Sequence, residues 1–311
     1  MKKLLNIWPI VVLLFLACEK DIDIKPKEGK NLIVVEGHIE TNLPPYVILT
    51  RSQTFFSSTD INSINNNFIR GAKVTVSDGS RTITLAELTT DSIPAEIVDT
   101  LSSFLGIPLK SANNPDGLSI VVYTTIELFG QEGRTYNLRV ETGNELVTAS
   151  TTIPFANQLD SVWTIPHPET DTLVNLYVRY ADPAGQENFI RYFNATNSNV
   201  FYPPLYSSVL DDKSFFNVDG KTFDIPLEKG YNRYKDVDFS TYPYFSAKDT
   251  ITLRWCTIDA AHFRFWSTAE YNRNNGGNPF SSPTTITSNI KGGLGIWGGY
   301  GPSYYVVLPK K

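Results

Sequence analysis

The chain has 311 residues, a formal net charge of −5, 41% hydrophobic and 13% aromatic residues, and two cysteines, Cys18 and Cys256. That length and apolar content support one large core or two ordinary ones. Basic residues are scattered through an acidic chain, which argues against a nucleic-acid surface, and two distant cysteines exclude a disulfide scaffold.

The chain opens with Lys2 and Lys3, then an apolar stretch over 4–17 broken by Asn6 and Pro9. Roughly 20 apolar residues are needed to span a bilayer, so residues 1–17 read as a secretory signal peptide. The run Phe15-Leu16-Ala17-Cys18 resembles a bacterial lipobox, with Phe15 where leucine is usual. The expectation is lipid on Cys18 and stable membrane anchoring through several acyl chains. An ordinary signal peptide with a cysteine near its cleavage site is the alternative. Lipidation of Cys18 leaves Cys256 unpaired, and its apolar surroundings over 253–258 read as a buried strand with an inert thiol. Residues 18–30 hold the lipidated cysteine and a charged, flexible tether containing Pro26 and Gly29.

A first folded unit is expected over 31–155. Strands are predicted at 32–40, 46–51, 72–77, 81–85, 119–125, 135–142 and 146–153, with an exposed polar loop over 57–67. Ala72, Val74 and Val76 alternate with polar residues, and Asp78-Gly79 predicts a hairpin turn. Short strands with regular turn signals predict an immunoglobulin- or transthyretin-like β-sandwich. A second unit over 156–311 is expected to be β-rich with one packed helix. Strands at 173–180 and 188–194 flank Asp182-Pro183-Ala184-Gly185, which reads as a hairpin or wider turn, and another strand covers 250–257. The helix is predicted over 260–273, capped by Asp259, with Ala260, Phe263, Trp266 and Glu270 on one face.

Catalytic signals are sparse. His38, His167 and His262 stand at no metal-ligand spacing; Glu36, His38 and Glu40 share a strand face, which an exposed polar face explains equally well. No nucleophile elbow, P-loop or kinase signature occurs. The glycine-rich stretch 292–301 lacks a βαβ context and reads as tight turns and close packing around Trp297 and Tyr300. No cofactor, metal or catalytic residue is therefore assigned. The aromatic residues between 201 and 246 are more informative. Phe201, Tyr202, Tyr206, Tyr231, Tyr234, Tyr242 and Tyr244 crowd an irregular, proline-punctuated segment, either as a binding surface or as core.

Asn278-Pro279-Phe280-Ser281-Ser282-Pro283-Thr284 and the following 288–300 stretch resemble the ending of a Bacteroidota lipoprotein family, domain of unknown function 4249. Cys18-Glu19-Lys20, Val34-Val35-Glu36-Gly37, Pro44-Pro45-Tyr46-Val47, Leu49-Thr50-Arg51-Ser52 and Gly71-Ala72-Lys73-Val74 resemble its opening. Members tend to be encoded beside TonB-dependent outer-membrane receptors, and the resemblance implies such a receptor as partner. It carries over no catalytic residue, only the lipidated Cys18. In that group, acidic residues placed like Glu19, Asp21 and Asp23 resemble a signal for the outer face of the outer membrane; a solvated linker explains them equally well. The expectation is a non-enzymatic, surface-exposed accessory lipoprotein that assists ligand capture or uptake. The alternatives are an independent carbohydrate- or protein-binding adhesin and a hydrolase with an unrecognised site.

Overall fold

Apolar residues at every second position build most of this protein. In the computed structural model, which describes residues 31–53, 65–98, 109–198, 200–211, 219–233, 235–276 and 284–309, strands dominate. They are β1 (Ile33–Glu40), β2 (Tyr46–Arg51), β3 (Lys73–Ser77), β4 (Thr82–Thr84), β5 (Ala86–Thr89), β6 (Val121–Thr124), β7 (Thr135–Thr142) and β8 (Glu145–Thr152) in the first half. The second half holds β9 (Ser161–His167), β10 (Thr170–Ala181), β11 (Phe189–Thr196), β12 (Val209–Asp211), β13 (Thr222–Leu227), β14 (Phe245–Ser246), β15 (Ile251–Ile258) and β16 (Leu294–Val307). The long helix α1 spans Ala260–Asn275. The chain is mainly β, as its sequence predicts. The signal peptide, Cys18 and the tether over 19–30, together with 57–64 of the expected polar loop, lie outside the described residues.

An eight-stranded sheet in the order β12-β11-β15-β16-β1-β2-β6-β5 joins the two halves. One core lies between its first-half strands and the sheet β4-β3-β7-β8: Val35, Leu49 and Tyr123 meet Val74, Leu138 and Val147. A second core lies between β11, β15 and the end of β16 and the sheet centred on β10: Tyr192, Leu253 and Trp255 meet Leu176, Val178 and Phe245. Trp297 belongs to the first core and Val307 to the second, so alternation along β16 puts both cores on one face of the long sheet. Tyr300 points to the other face, where a third cluster with Phe193, Cys256 and Ile258 receives Phe263 and Trp266 of α1.

Of the stretch 292–301 expected as tight turns and close packing, residues 292–293 turn, with Gly292 at φ +84°, and strand β16 takes the rest. It pairs in parallel with β1 from Val34↔Leu294 to Glu40↔Tyr300, then antiparallel with β15 from Thr257↔Gly301 to Ile251↔Val307. Within the strand glycine serves the close backbone packing that the sequence predicts around Trp297 and Tyr300. A Cβ on Gly295, at φ +101°, would lie 1.9 Å from the Val35 carbonyl oxygen. A Cβ on Gly298 would stand 2.4 Å from the His262 ring. Glycines depress strand propensity, which is why the sequence pattern misleads at this point.

The segment 182–185 is the wider turn of the two expected forms and not a hairpin, with Gly185 at φ +74°. Strands β10 and β11 belong to different sheets, so it carries the chain from one layer to the other. Strand β11 is buried on both faces from Ile190 to Ala195, as suits a strand covered from both sides, whereas β10 is buried at alternate residues over Val174–Tyr180. Strands β9 and β13 escape the sequence pattern because each contains a proline, Pro166 and Pro226, tolerated at the edges of their sheet.

Trp297 is fully buried, and its Nε1 donates to the Tyr136 carbonyl at 3.0 Å. The core of residues 33–153 is thus completed by a side chain from the far end of the chain. Trp297→Ala should destabilise the protein by about 3–5 kcal/mol. Urea denaturation followed by fluorescence checks this, and a loss below about 1 kcal/mol would contradict the role given to this contact.

Candidate functional site

Helix α1 starts where the sequence predicts. The Asp259 carboxylate accepts from the His262 backbone N–H at 2.8 Å, an N-cap contact, and its other oxygen accepts from Thr151 Oγ1 of β8 at 2.6 Å. The cap therefore also ties α1 to the first half of the chain. What α1 buries differs from its apolar pattern: Phe263 and Trp266 are half-buried, while His262 and Glu270 are the buried residues.

Glu270 and Arg191 find specific partners, whereas the buried Nε1 of Trp266 has no hydrogen-bond partner among the described residues. Glu270 accepts from the Ser208 backbone N–H at 2.8 Å and from Ser208 Oγ at 2.6 Å, and lies 3.9 Å from Arg191 Nη2. Arg191, itself buried, donates to Ser208 Oγ at 3.0 Å and to Tyr300 Oη at 2.6 Å. Its guanidinium lies 3.4 Å from the Trp266 ring centroid, close enough for a cation–π contact. On the same sheet face Glu40 pairs with Arg254 and accepts from Tyr304 Oη at 3.0 Å. Glu36 stays exposed, and His38 packs its ring 3.9 Å from Tyr46 and 5.2 Å from Tyr300. The expected polar face at 36–40 is thus divided among separate environments, and no metal-binding group of His, Cys, Asp or Glu occurs among the described residues. Burial pushes the Cys256 thiol up to about 12, against the opposing effect of Arg254, which suits an inert thiol.

This network fixes one wall of a cleft of about 540 Å³. Strand β12 and the turn before it, β13, and the second half of α1 enclose it, and Tyr206, Tyr271, Glu228 and Asn274 are among its lining residues. Tyr206 is 50% exposed and Tyr271 is 45% exposed, so two rings stand open to solvent at this cleft. Asn274 Nδ2 donates to the Tyr206 carbonyl and Ser208 bonds Glu270, so α1 holds the 206–208 turn at two points. Glu228 accepts from Tyr242 Oη at 2.7 Å, and the same hydroxyl accepts from the Leu205 N–H at 2.8 Å.

The aromatic residues singled out from the sequence separate into groups. Tyr206, Tyr231 and Tyr242 form a chain, with Tyr242 6.2 Å from Tyr206 and 6.4 Å from Tyr231. Tyr202 pairs its backbone with Asn194 and accepts from Asn232 Nδ2 at 3.1 Å. Phe201 leans on Tyr304 and Tyr244 on His167, away from this chain. Tyr234, like Cys18, lies outside the described residues. Except for Tyr206, the described members are half-buried, so they are neither a continuous exposed platform nor full core. Sequence reasoning missed Tyr271, Asn274 and Glu228. The only signal for the first two is the Tyr- and Asn-rich end of α1, and Glu228 has none.

The model of the family described as domain of unknown function (DUF4249) matches residues 19–304. The chain belongs to this family. No curated protein matches it. The family match covers both halves of the long sheet and every described residue of the cleft, so the cleft belongs to the DUF4249 unit itself. Among the described residues no helix is long and apolar enough to cross a membrane.

Removing Glu270 would leave both Ser208 donors without their acceptor and the buried Arg191 without its carboxylate counter-charge. Glu270→Ala should therefore cost about 3–5 kcal/mol in urea unfolding, and near-neutral behaviour would show the network to be dispensable. Burial also holds the His262 imidazole down at about 3; the Asp259 carboxylate opposes this and Arg191 reinforces it. An unfolded histidine titrates near 6.5, so between those values the unfolded chain binds a proton that the native chain does not. Stability then falls as pH drops from about 6.5 towards 3. The urea midpoint should decline over this range with a shallower slope in His262→Gln; an identical slope would assign the acid sensitivity elsewhere.

Proposed function

We propose that this protein is a non-enzymatic accessory lipoprotein, anchored by lipid on Cys18 at the outer face of the outer membrane, which captures a ligand for a TonB-dependent receptor. The observation that carries the binding role is the cleft beside α1, with two solvent-exposed tyrosines held on a rigid wall. Ligand sites tend to be concavities of about 300–1,000 Å³ lined by aromatic groups and a few polar atoms. The lipobox-like run before Cys18 and the acidic residues Glu19, Asp21 and Asp23 support the anchoring and the surface location. The partnership rests on the family resemblance of the two chain ends.

A hydrolase built on the cleft's two carboxylates fits less well. A general acid or base must present its carboxyl to the substrate, whereas both Glu270 oxygens already accept from Ser208 and Tyr242 occupies one oxygen of Glu228. An adhesin acting without a transporter uses the same cleft, and the partner distinguishes it. Pulling the tagged full-length chain from detergent-solubilised outer membranes should bring a TonB-dependent receptor with it. Cys18→Ala should move the protein from the membrane fraction to the soluble fraction. Repeated recovery without a receptor would end the partnership, and unchanged membrane retention of Cys18→Ala would end the lipid anchor.

A further inference from the structure

Several side chains lining the cleft commit a hydrogen-bond donor to the protein, while each lining amide carries a second N–H and Tyr206 and Tyr271 each carry a hydroxyl. Ser207 Oγ donates to the Val209 carbonyl at 3.3 Å and Ser267 Oγ to the Arg264 carbonyl at 3.2 Å. Asn274 Nδ2 donates to Tyr206 O and Asn275 Nδ2 to Tyr271 O. A hydroxyl whose single proton is committed can only accept, and Glu228 keeps a carboxylate oxygen that Tyr242 does not occupy. The lining thus presents acceptors beside phenol and amide donors, and a matching ligand brings groups that both donate and accept.

Charge narrows the choice. Among the described residues no lysine or arginine lines the cleft, so an anion would meet acceptors and carboxylates without a counter-charge there. A cation gains little either. Arg191 lies within ion-pair distance of Glu270, and Arg233 and Arg273 interact electrostatically with the same carboxylate, so of the two lining carboxylates only Glu228, hydrogen-bonded by Tyr242, is without a neighbouring arginine of this group. Uncharged hydroxyls fit both conditions. The open rings of Tyr206 and Tyr271 add flat apolar faces, which suit the C–H face of a sugar ring.

From these observations we infer that the cleft binds a neutral polyhydroxyl ligand of the oligosaccharide class, with Tyr206 and Tyr271 as stacking platforms. This deepens the capture role proposed above and rests on it. The test titrates the full-length protein, held in a sugar-free detergent, with maltose, cellobiose and laminaribiose. Spermidine and citrate serve as the cationic and anionic probes. Binding is read by saturation-transfer NMR and calorimetry. At least one disaccharide should bind, with affinity falling about tenfold in Tyr206→Ala or Tyr271→Ala, the loss of one good aromatic contact. Phe239→Ala, which removes an exposed ring outside the cleft lining, should leave affinity unchanged. Thermal unfolding of all three variants shows that the fold persists. Binding of spermidine or citrate alone, binding of no disaccharide, or disaccharide binding indifferent to both tyrosines would each overturn the assignment. Receptor recovery from the same preparations separates the two ideas. A receptor present without sugar binding removes only the ligand class, and sugar binding without a receptor removes only the partnership.

Discussion

Strand β16 gives its first seven residues to β1 and its last seven to β15, and through them it holds two otherwise separate half-sheets in one plane. The long sheet that results carries two cores on one face and the helix α1 on the other. This pairing joins residues more than 250 positions apart, so it closes the longest loop in the fold and secures both halves together. It works because backbones come closer than side chains would allow: Gly295 lies against the Val35 carbonyl and Gly298 against the His262 ring.

The same strand positions the polar layer. Tyr300, Cys256 and Arg254 share the face turned to α1, and Arg191 reaches that face from β11. A helix that buries His262 and Glu270 instead of a continuous apolar stripe gains less from hydrophobic burial than most. Its orientation is set instead by directional contacts: the Asp259 cap to Thr151, Glu270 to Ser208, and Arg191 across Trp266. Directional contacts fix an angle more sharply than apolar packing does, and they hold the cleft wall in place. Strength and function meet at Glu270, whose two oxygens are consumed in holding that wall.

Much of the fold was legible. Apolar patterning and turn signals located β1 to β4, β6 to β8, β10, β11 and β15 to within a few residues, and Asp259 marked the start of α1. Propensity failed wherever backbone geometry outweighed it. Glycines made β16 look like turns, prolines hid the edge strands β9 and β13, and a turn-like Asp-Pro-Ala-Gly sequence concealed a crossing between layers. The aromatic segment was found in sequence, but its division was not. Tyr206, Tyr231 and Tyr242 come together, while Phe201 and Tyr244 pack on Tyr304 and His167.

The sequence by itself determined the β-rich class, the position and cap of the helix, the family, and an unpaired thiol in a buried strand, because each depends on local pattern or on residue identity. Only the tertiary structure decided that one sheet runs through both halves, that Trp297 completes a core built from the opposite end of the chain, and that Tyr206 meets Tyr271 across one cleft. Strand pairing and cleft formation depend on contacts between distant segments, and no local periodicity records which segment will be the partner.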